Sequence, residues 1–476
     1  MFRTQIMVIL PEALLALSAM AILLLDLVIK RKPVFTVLTA AAACGAFFAL
    51  NGAHGPVFGG MFTADGYSMF FKVIFLISLA LSAIVSAGYL AVEQAEHGEY
   101  YALMLFATTG MMIMASAGDL IMVYLGLELM SLSLYVLAGF LRGNSRSSEA
   151  ALKYFLLGSF ASALLLFGIS LTYGLTGSTS IAAVASFIKT HGLAGNPVLA
   201  FATILYVAAF GFKIAAVPFH MWAPDVYEGS PTPVTAFMSV GPKAAGFAVI
   251  GRVLLLALGP MNFEWAGLLI ALSILSMVAG NILALAQTNI KRMLAYSSIA
   301  HAGYVLIGIA VGGPDGLASS MSYLFIYAFM NIGAFTVVTL LTSEGVKAEN
   351  LEEYSGLSKS HPLLAALMLI FMFSLTGIPP TAGFAGKFYL FNAAIKAGYL
   401  WLAVIAVVMS VVSAYFYLRV VMYMYMREPG EKELRMERSF GARLALGITA
   451  LAVLVLGLMP AGLIDLARSA AANLKI

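Results

Sequence analysis

The chain has 476 residues, of which 62% are hydrophobic and only 10% charged. A water-soluble domain carries about 25% charged residues, so most of this chain cannot face water. Its net charge of +4 is carried mainly by loops, and a single cysteine, Cys44, excludes a ligated iron–sulfur cluster or an internal disulfide.

Apolar runs on the order of 20 residues, enough to cross a bilayer, recur from end to end. They are continuous rather than alternating, which predicts helices instead of a barrel. About fourteen spans are predicted, in chain order 6–29, 33–50, 68–92, 100–117, 119–141, 148–174, 196–226, 232–257, 264–287, 291–311, 318–342, 361–396, 400–426 and 440–462. The first is too long for a signal-peptide core and is read as retained. No Gly-rich phosphate loop follows a strand pattern. The six histidines, His54, His97, His191, His220, His301 and His361, show no metal-ligand spacing. No cofactor, metal or nucleic acid is expected on this chain.

Loop charge sets an expected orientation. One set of alternate loops holds Lys30, Arg31, Lys32, Arg142, Arg146, Lys291, Arg292, Lys347, Lys359, Arg427, Lys432, Arg435 and Arg438. The other holds Arg3, Lys189, Lys396, Arg468 and Lys475. By the positive-inside rule the first set is cytoplasmic and both termini lie outside. The longest polar loop, "REPGEKELRMERS", falls on the cytoplasmic side, and only a short tail follows the last span.

Two spans, 196–226 and 361–396, are too long for one crossing and carry proline mid-run, in "AAVPFHMWAPD" and "SLTGIPPTAGFAGK". Proline removes a backbone donor and clashes with the preceding turn, so both helices should break. Interrupted spans at matching places in two halves point to inverted repeats around an ion site. "SAGDLIMVYLGLELMSLSLYVLAG" (116–139) lines up with "AQTNIKRMLAYSSIAHAGYVLIG" (286–308) at a spacing near 170. The expected units are three N-terminal helices (1–98), a first repeat of helices 4–8 (99–260), a second, inverted repeat of helices 9–13 (261–428) and a last helix (429–476).

Five ionisable side chains fall near the middle of their predicted spans: Glu128, Lys153, Lys213, Lys243 and Lys387. A charge at the bilayer centre costs about 2.5–3.5 kcal/mol on insertion scales, so such groups are kept where they pair or line a polar path. The default reading is an ion or proton path, because a lysine stripped of water can give up a proton and a movable acid partner can return it. His220, just past the first break, suits proton relay; the alternative is a histidine satisfying a carbonyl freed by the break. His301 aligns with Ser131 and is a second possible relay, or a core histidine. Tyr323 stands in the same register as Lys153. Lys72 and Arg252 are expected to snorkel to the interface, Trp222 and Asp225 to lie there, and Asp119 to cap a helix. Asn281, Asn331, Ser159 and Ser162 are expected to bond helices together.

The stretches "VPFHMWAPDVYEGSPTPVTAFMSVGPKAAGF", "LMSLSLYVLAGF", "EAALKYFLLGSFASALLLFG", "NIKRMLAYSSIAHAGY" and "FSLTGIPPTAGFAGKFYLF" carry a resemblance over nearly the whole chain. They resemble the antiporter-like membrane subunits of respiratory complex I, most narrowly the chain N branch of bacterial NADH–quinone oxidoreductase. The resemblance implies fourteen helices with two inverted five-helix repeats and two discontinuous helices. It implies that Glu128 pairs with Lys153 or Lys213, that Lys243 links the halves, and that Lys387 faces the exit. It further implies chains M and K as neighbours, an inner-membrane location, and FMN and iron–sulfur clusters in partner subunits that reduce quinone. Rival expectations are a subunit of a multisubunit sodium/proton antiporter, a hydrogenase-type membrane subunit and a passive scaffold; five buried ionisable groups weigh against the last.

Overall fold

The computed structural model describes residues 2–192, 195–342, 348–429 and 439–474. Lys347, Lys432, Arg435, Arg438 and Lys475 of the loop-charge pattern lie outside the described residues. The chain opens with α1 (Phe2–Asp26) and α2 (Val34–Ala49), then a small antiparallel hairpin of β1 (Gly55–Val57) and β2 (Phe62–Ala64), pairing Pro56 with Thr63. Next come α3 (Gly66–Val92), α4 (Gly98–Ser116), α5 (Leu120–Ala138), α6 (Ser145–Thr176) and the short α7 (Ile181–Thr190). The first broken span is α8 (Pro197–Ile214) plus α9 (Trp222–Gly229), followed by α10 (Thr232–Ile250). The second half runs through α11 (Asn262–Leu285), α12 (Ile290–Val311), α13 (Gly313–Leu340) and the one-turn α14 (Leu357–Ser360). Its broken span is α15 (Pro362–Thr376) plus α16 (Ala382–Lys396), followed by α17 (Leu400–Met426), α18 (Phe440–Leu458) and α19 (Ala461–Ala472).

This is an α-helical polytopic membrane protein. Among the described residues, twelve stretches are long and apolar enough to cross a membrane, each on a predicted span. The expected fourteen also counts α4 and the α15–α16 pair, which are not among the twelve. Most of α4 is buried in protein, so its composition need not suit lipid, and α15 is cut to 15 residues by the break. Polar side chains start many of the helices: Asp119, Asn144, Asn196 and Asn289 accept from first-turn N–H groups of α5, α6, α8 and α12. Asp119 is thus the cap expected, and it also accepts a 2.7 Å hydrogen bond from Thr179 Oγ1.

Both predicted breaks are present. The last turn of α8 ends in Ala215 at φ +56°, and that of α15 ends in Gly377 at φ +90°; Pro218 and the Pro379–Pro380 pair lie in the openings. A helix–helix contact recurs in the two halves. A Cβ on Gly110 of α4 would stand 2.6 Å from the Met130 nitrogen of α5, and one on Gly280 of α11 would stand 2.6 Å from the Ala300 nitrogen of α12. Both positions of the second contact are those of the first shifted by 170, the spacing read from the sequence. Only glycine permits either approach.

The centre is made by α10, α12 and α13. About nine-tenths of the residues in their most apolar windows are buried, against one-third in α1, α17 and α18. The α10 helix packs on α3, α4 and α8 of the first half and on α12 and α13 of the second.

Several expectations are corrected here. Lys72 and Arg252 do not snorkel. Lys72 is buried against Glu12 of α1 at 2.7 Å, with the Phe62 ring 5.0 Å away. Arg252, in a π-helical turn (Gly251–Ala257) continuing α10, is buried against Asp65 at 2.7 Å and donates to the Ala115 carbonyl. Each found a carboxylate from a distant segment, which no local pattern reveals. The last span stops at Leu458 because Pro460 follows, and α19, not an irregular tail, packs on α3 and α13.

Candidate functional site

The first break places Lys213 in the last turn of α8. The expected ion pair between Glu128 and Lys213 is not formed among the described residues. Lys213 Nζ instead donates to Ser131 Oγ on α5 at 2.8 Å, and Ser131 lies one turn past Glu128 on the same helix. The faces of Tyr135 and Phe212 stand 5.8 and 5.5 Å from the ammonium. Glu128 is half-buried, and its Oε1 is enclosed with no hydrogen-bond partner among the described residues. Trp222, expected at the interface, is buried. Its indole donates at 2.9 Å to the Phe212 carbonyl, which also accepts from the Ala215 N–H at 3.1 Å, while its ring stacks on Tyr154. His220, whose Nδ1 has no hydrogen-bond partner among the described residues, lies against the Pro218 backbone at the same break, as the alternative reading of that histidine expected.

Lys243 lies mid-way along α10, inside the central packing. Its Nζ donates to the Ser298 carbonyl of α12 at 2.8 Å and also to Ser298 Oγ. The bond crosses from the first half to the second. One turn earlier, Ser239 accepts from Asn331 of α13 at 2.5 Å, a second polar tie of the kind expected for Asn331.

Lys387 stands in the second turn of α16. It donates to the Leu375 and Thr376 carbonyls, at 3.2 and 2.8 Å, and to Ser410 Oγ of α17 at 2.7 Å. Those two carbonyls end α15 and lack intrahelical partners. The negative end of that helix therefore faces the ammonium directly. Lys387 also borders a cavity of about 420 Å³ whose wall is otherwise largely apolar, with Phe384, Phe388, Phe391 and Val411.

His301 is held between two phenols: Nδ1 to Tyr323 Oη at 2.6 Å and Nε2 to Tyr417 Oη at 3.0 Å. Tyr417 is also bonded to Ser297. Thus Ser131 and His301, aligned in sequence, both engage the polar axis, one holding a lysine and the other a tyrosine pair.

Lys153 departs from expectation. It is the ninth residue of the 32-residue α6, nearer one end than the middle, and partly exposed. Its partners are Glu149 at 2.8 Å and Asp225 at 2.7 Å, not Glu128. Asp225, rather than lying alone at an interface, also binds Arg292 at 2.7 Å, and Arg292 binds Glu228 at 3.0 Å. These groups line a cavity of about 220 Å³ joining α6 and α9 to α12. Ser298, Ser410 and Tyr417 were not singled out from the sequence, and Arg292 was read there only as a loop charge. The signals were present but weak: adjacent serines in "AYSSIAH", and Asp225 and Glu228 one turn apart on α9.

The axis therefore runs from Ser131–Lys213 through Lys243–Ser298 and the His301 cluster to Lys387 and Ser410. Lys213, Lys243 and Lys387 are buried, and none forms an ion pair with a carboxylate among the described residues. Residues 117–413 match the family described as NADH:quinone oxidoreductase/Mrp antiporter, TM. NADH-quinone oxidoreductase subunit N of Trichlorobacter lovleyi is 48% identical over 99% of this chain and 98% of that one. The chain belongs to the subunit N family of NADH-quinone oxidoreductase. Its namesake from Desulfovibrio desulfuricans is 52% identical over 88% of this chain and 86% of its own. A chain of respiratory complex I from Thermus thermophilus superposes with a TM-score of 0.81 at 36% identity, covering 96% of this chain and 98% of that one. A chain of the Mrp complex from Dietzia reaches 0.82 at 23% identity, covering 98% and 97%, a likeness of fold alone. Family membership favours the antiporter-like complex I subunit over the free-standing antiporter.

Proposed function

We propose that this chain is a non-redox proton pump within NADH–quinone oxidoreductase, and that Glu128, Lys213, Lys243 and Lys387 carry the proton. The observation supporting this reading is the set of three buried lysines that have no carboxylate partner among the described residues. An ammonium enclosed in protein is costly without a counter-charge. When such a lysine sheds its proton it leaves no bare anion behind, so both states are accessible. Neutral acceptors, hydroxyls and carbonyls, hold the amine in place through the change. Glu128, one turn from Ser131, is the acid that can approach Lys213 and alter its charge balance. Lys243 then exchanges with Lys213, and Lys387 passes the proton out. His301 belongs to the same path, His220 borders it at the first break, and Lys153 meets its cytoplasmic end through Asp225. The linked sites titrate together rather than singly.

On this reading the redox chemistry, with FMN, iron–sulfur clusters and quinone, takes place in partner subunits. Chains M and K are the neighbours, the location is the inner membrane, and both termini are periplasmic. The units 99–260 and 261–428 are the two pumping repeats, flanked by 1–98 and 429–476.

The test is capture of the tagged chain from membranes in mild detergent, with assay of flavin, iron–sulfur signals and NADH-dependent quinone reduction. All three are expected with the wild type. Lys213→Ala, captured with the same partners, should lose proton pumping; wild-type pumping would remove Lys213 from the path. An eluate of hydrophobic subunits with no redox centre, active in sodium-driven proton exchange, would replace the proposal with the antiporter.

A further inference from the structure

Between Lys243 and Lys387 the second half contains a run of hydroxyls that the lysine pattern does not reveal. Tyr417 of α17 is buried, and its hydroxyl sits between Ser297 and His301 Nε2. On its far side His301 offers Nδ1 to Tyr323. The Tyr323 ring lies over Gly386, where a Cβ would stand only 2.6 Å from Cδ2, and Gly386 is the neighbour of Lys387. Ser297 adjoins Ser298, which holds Lys243. Two turns back on α17, Ser410 holds Lys387. The hydroxyl run thus begins one residue from the serine that holds Lys243 and ends over the residue that precedes Lys387.

We infer that Tyr417 is a proton-relay residue joining Lys243 to Lys387 through Ser297, His301 and Tyr323, an assignment that rests on the pump reading above. A phenol both donates and accepts, and a neutral imidazole does so through its two different nitrogens. The transfer balances. With His301 protonated at Nδ1, the Tyr417 proton moves to Nε2 while Tyr417 Oη takes the Ser297 proton. The Nδ1 proton passes to Tyr323, whose own proton crosses by way of bridging water to the Lys387 amine. Ser297 is refilled from the Lys243 ammonium by water bridging Ser298 and Ser297. One proton leaves Lys243, one arrives at Lys387, and His301 ends in its other tautomer; reorientation of the imidazole ring and of the hydroxyls resets the run before the next proton. A hydroxyl kept only to satisfy a buried partner needs one bond; Tyr417 has two, each to a group able to pass a proton.

The test is Tyr417→Phe in the whole complex, in sealed membrane vesicles. The ring and its packing remain and only the oxygen is lost. NADH oxidation with an artificial acceptor, which reports the redox arm, should be unchanged. A positioned proton-transfer group contributes about 10²–10⁴-fold; with water able to occupy the vacated place, quinone-linked turnover should fall about tenfold, with fewer protons pumped per NADH and a larger solvent deuterium effect. Ser297→Ala should reproduce this loss and serves if Tyr417→Phe fails to assemble. Wild-type protons per NADH in either assembled variant, with Lys213→Ala still defective, would make the hydroxyl a packing feature and overturn the relay while leaving the pump. Wild-type pumping in Lys213→Ala as well would overturn the pump reading itself.

Discussion

The two broken helices solve the same problem in opposite ways. Each opening frees backbone carbonyls inside the membrane, where water is scarce and an unmet group costs several kcal/mol, about as much as a lost buried hydrogen bond. At the first break a neutral indole, Trp222, takes the Phe212 carbonyl, and Lys213 reaches away to Ser131 on another helix. At the second, Lys387 itself takes the Leu375 and Thr376 carbonyls. An ammonium has three donors. Lys387 places all three, counting Ser410, whereas Lys213 has one hydrogen-bond acceptor among the described residues. Charge and capping are separate duties at the first break and one duty at the second. Lys213 can change partner without opening a helix end; Lys387 cannot leave without stranding the Leu375 carbonyl of α15.

This contrast can be broken or sharpened by substitution. The largest effect expected is on pumping. Lys213→Met and Lys387→Met should each reduce proton transport per NADH by about tenfold or more, the scale of a lost proton-transfer group; vesicle acidification measures it, and pumping retained in one alone would show that the breaks are not in series. Next is stability. Lys387→Met strands the Leu375 carbonyl, at about 1–3 kcal/mol for an unmet group, while Thr376 keeps Ser410, so its complex should dissociate at lower temperature than that of Lys213→Met. Equal melting would show that Lys387 does not cap α15. Trp222→Phe keeps the stack on Tyr154 and loses one hydrogen bond, a net cost of about 0.5–1.5 kcal/mol, read as a smaller fall in the same melting temperature. The smallest structural effect belongs to Glu128→Gln. With no ion pair to lose among the described residues, its melting should match wild type while pumping falls; a normal proton stoichiometry would make the carboxylate structural.

The breaks, the buried lysines and the 170-residue spacing were legible because proline, charge in an apolar run and self-similarity are local signals. Gly110 and Gly280 confirm the spacing at atomic contact. The partners were not legible. Ser131 and Ser410 look like ordinary helix-bonding serines until Lys213 and Lys387 are seen to reach them. Glu128 and Lys213 fit an ion pair by residue type, but side-chain reach across α5 and α8 favours the serine. Lys72 and Arg252 were misplaced for a related reason: an isolated cation near a span end looks like one that snorkels unless its carboxylate, Glu12 or Asp65, is located. Trp222 misled because a tryptophan beside a polar turn has the same signature at a membrane surface as in a helix break.

The Glu12–Lys72 pair bears on how the chain is built. During synthesis α1 emerges with a carboxylate and α3, a full hairpin later, with the matching ammonium. A charged residue at the centre of a helix adds about 2.5–3.5 kcal/mol to insertion on its own. Insertion of α1 is therefore more favourable once α3 has been translated and the two can enter lipid as a neutralised pair. Asp65 and Arg252 extend the same dependence across nearly two hundred residues, tying completion of the N-terminal bundle to the arrival of the helix that carries Lys243.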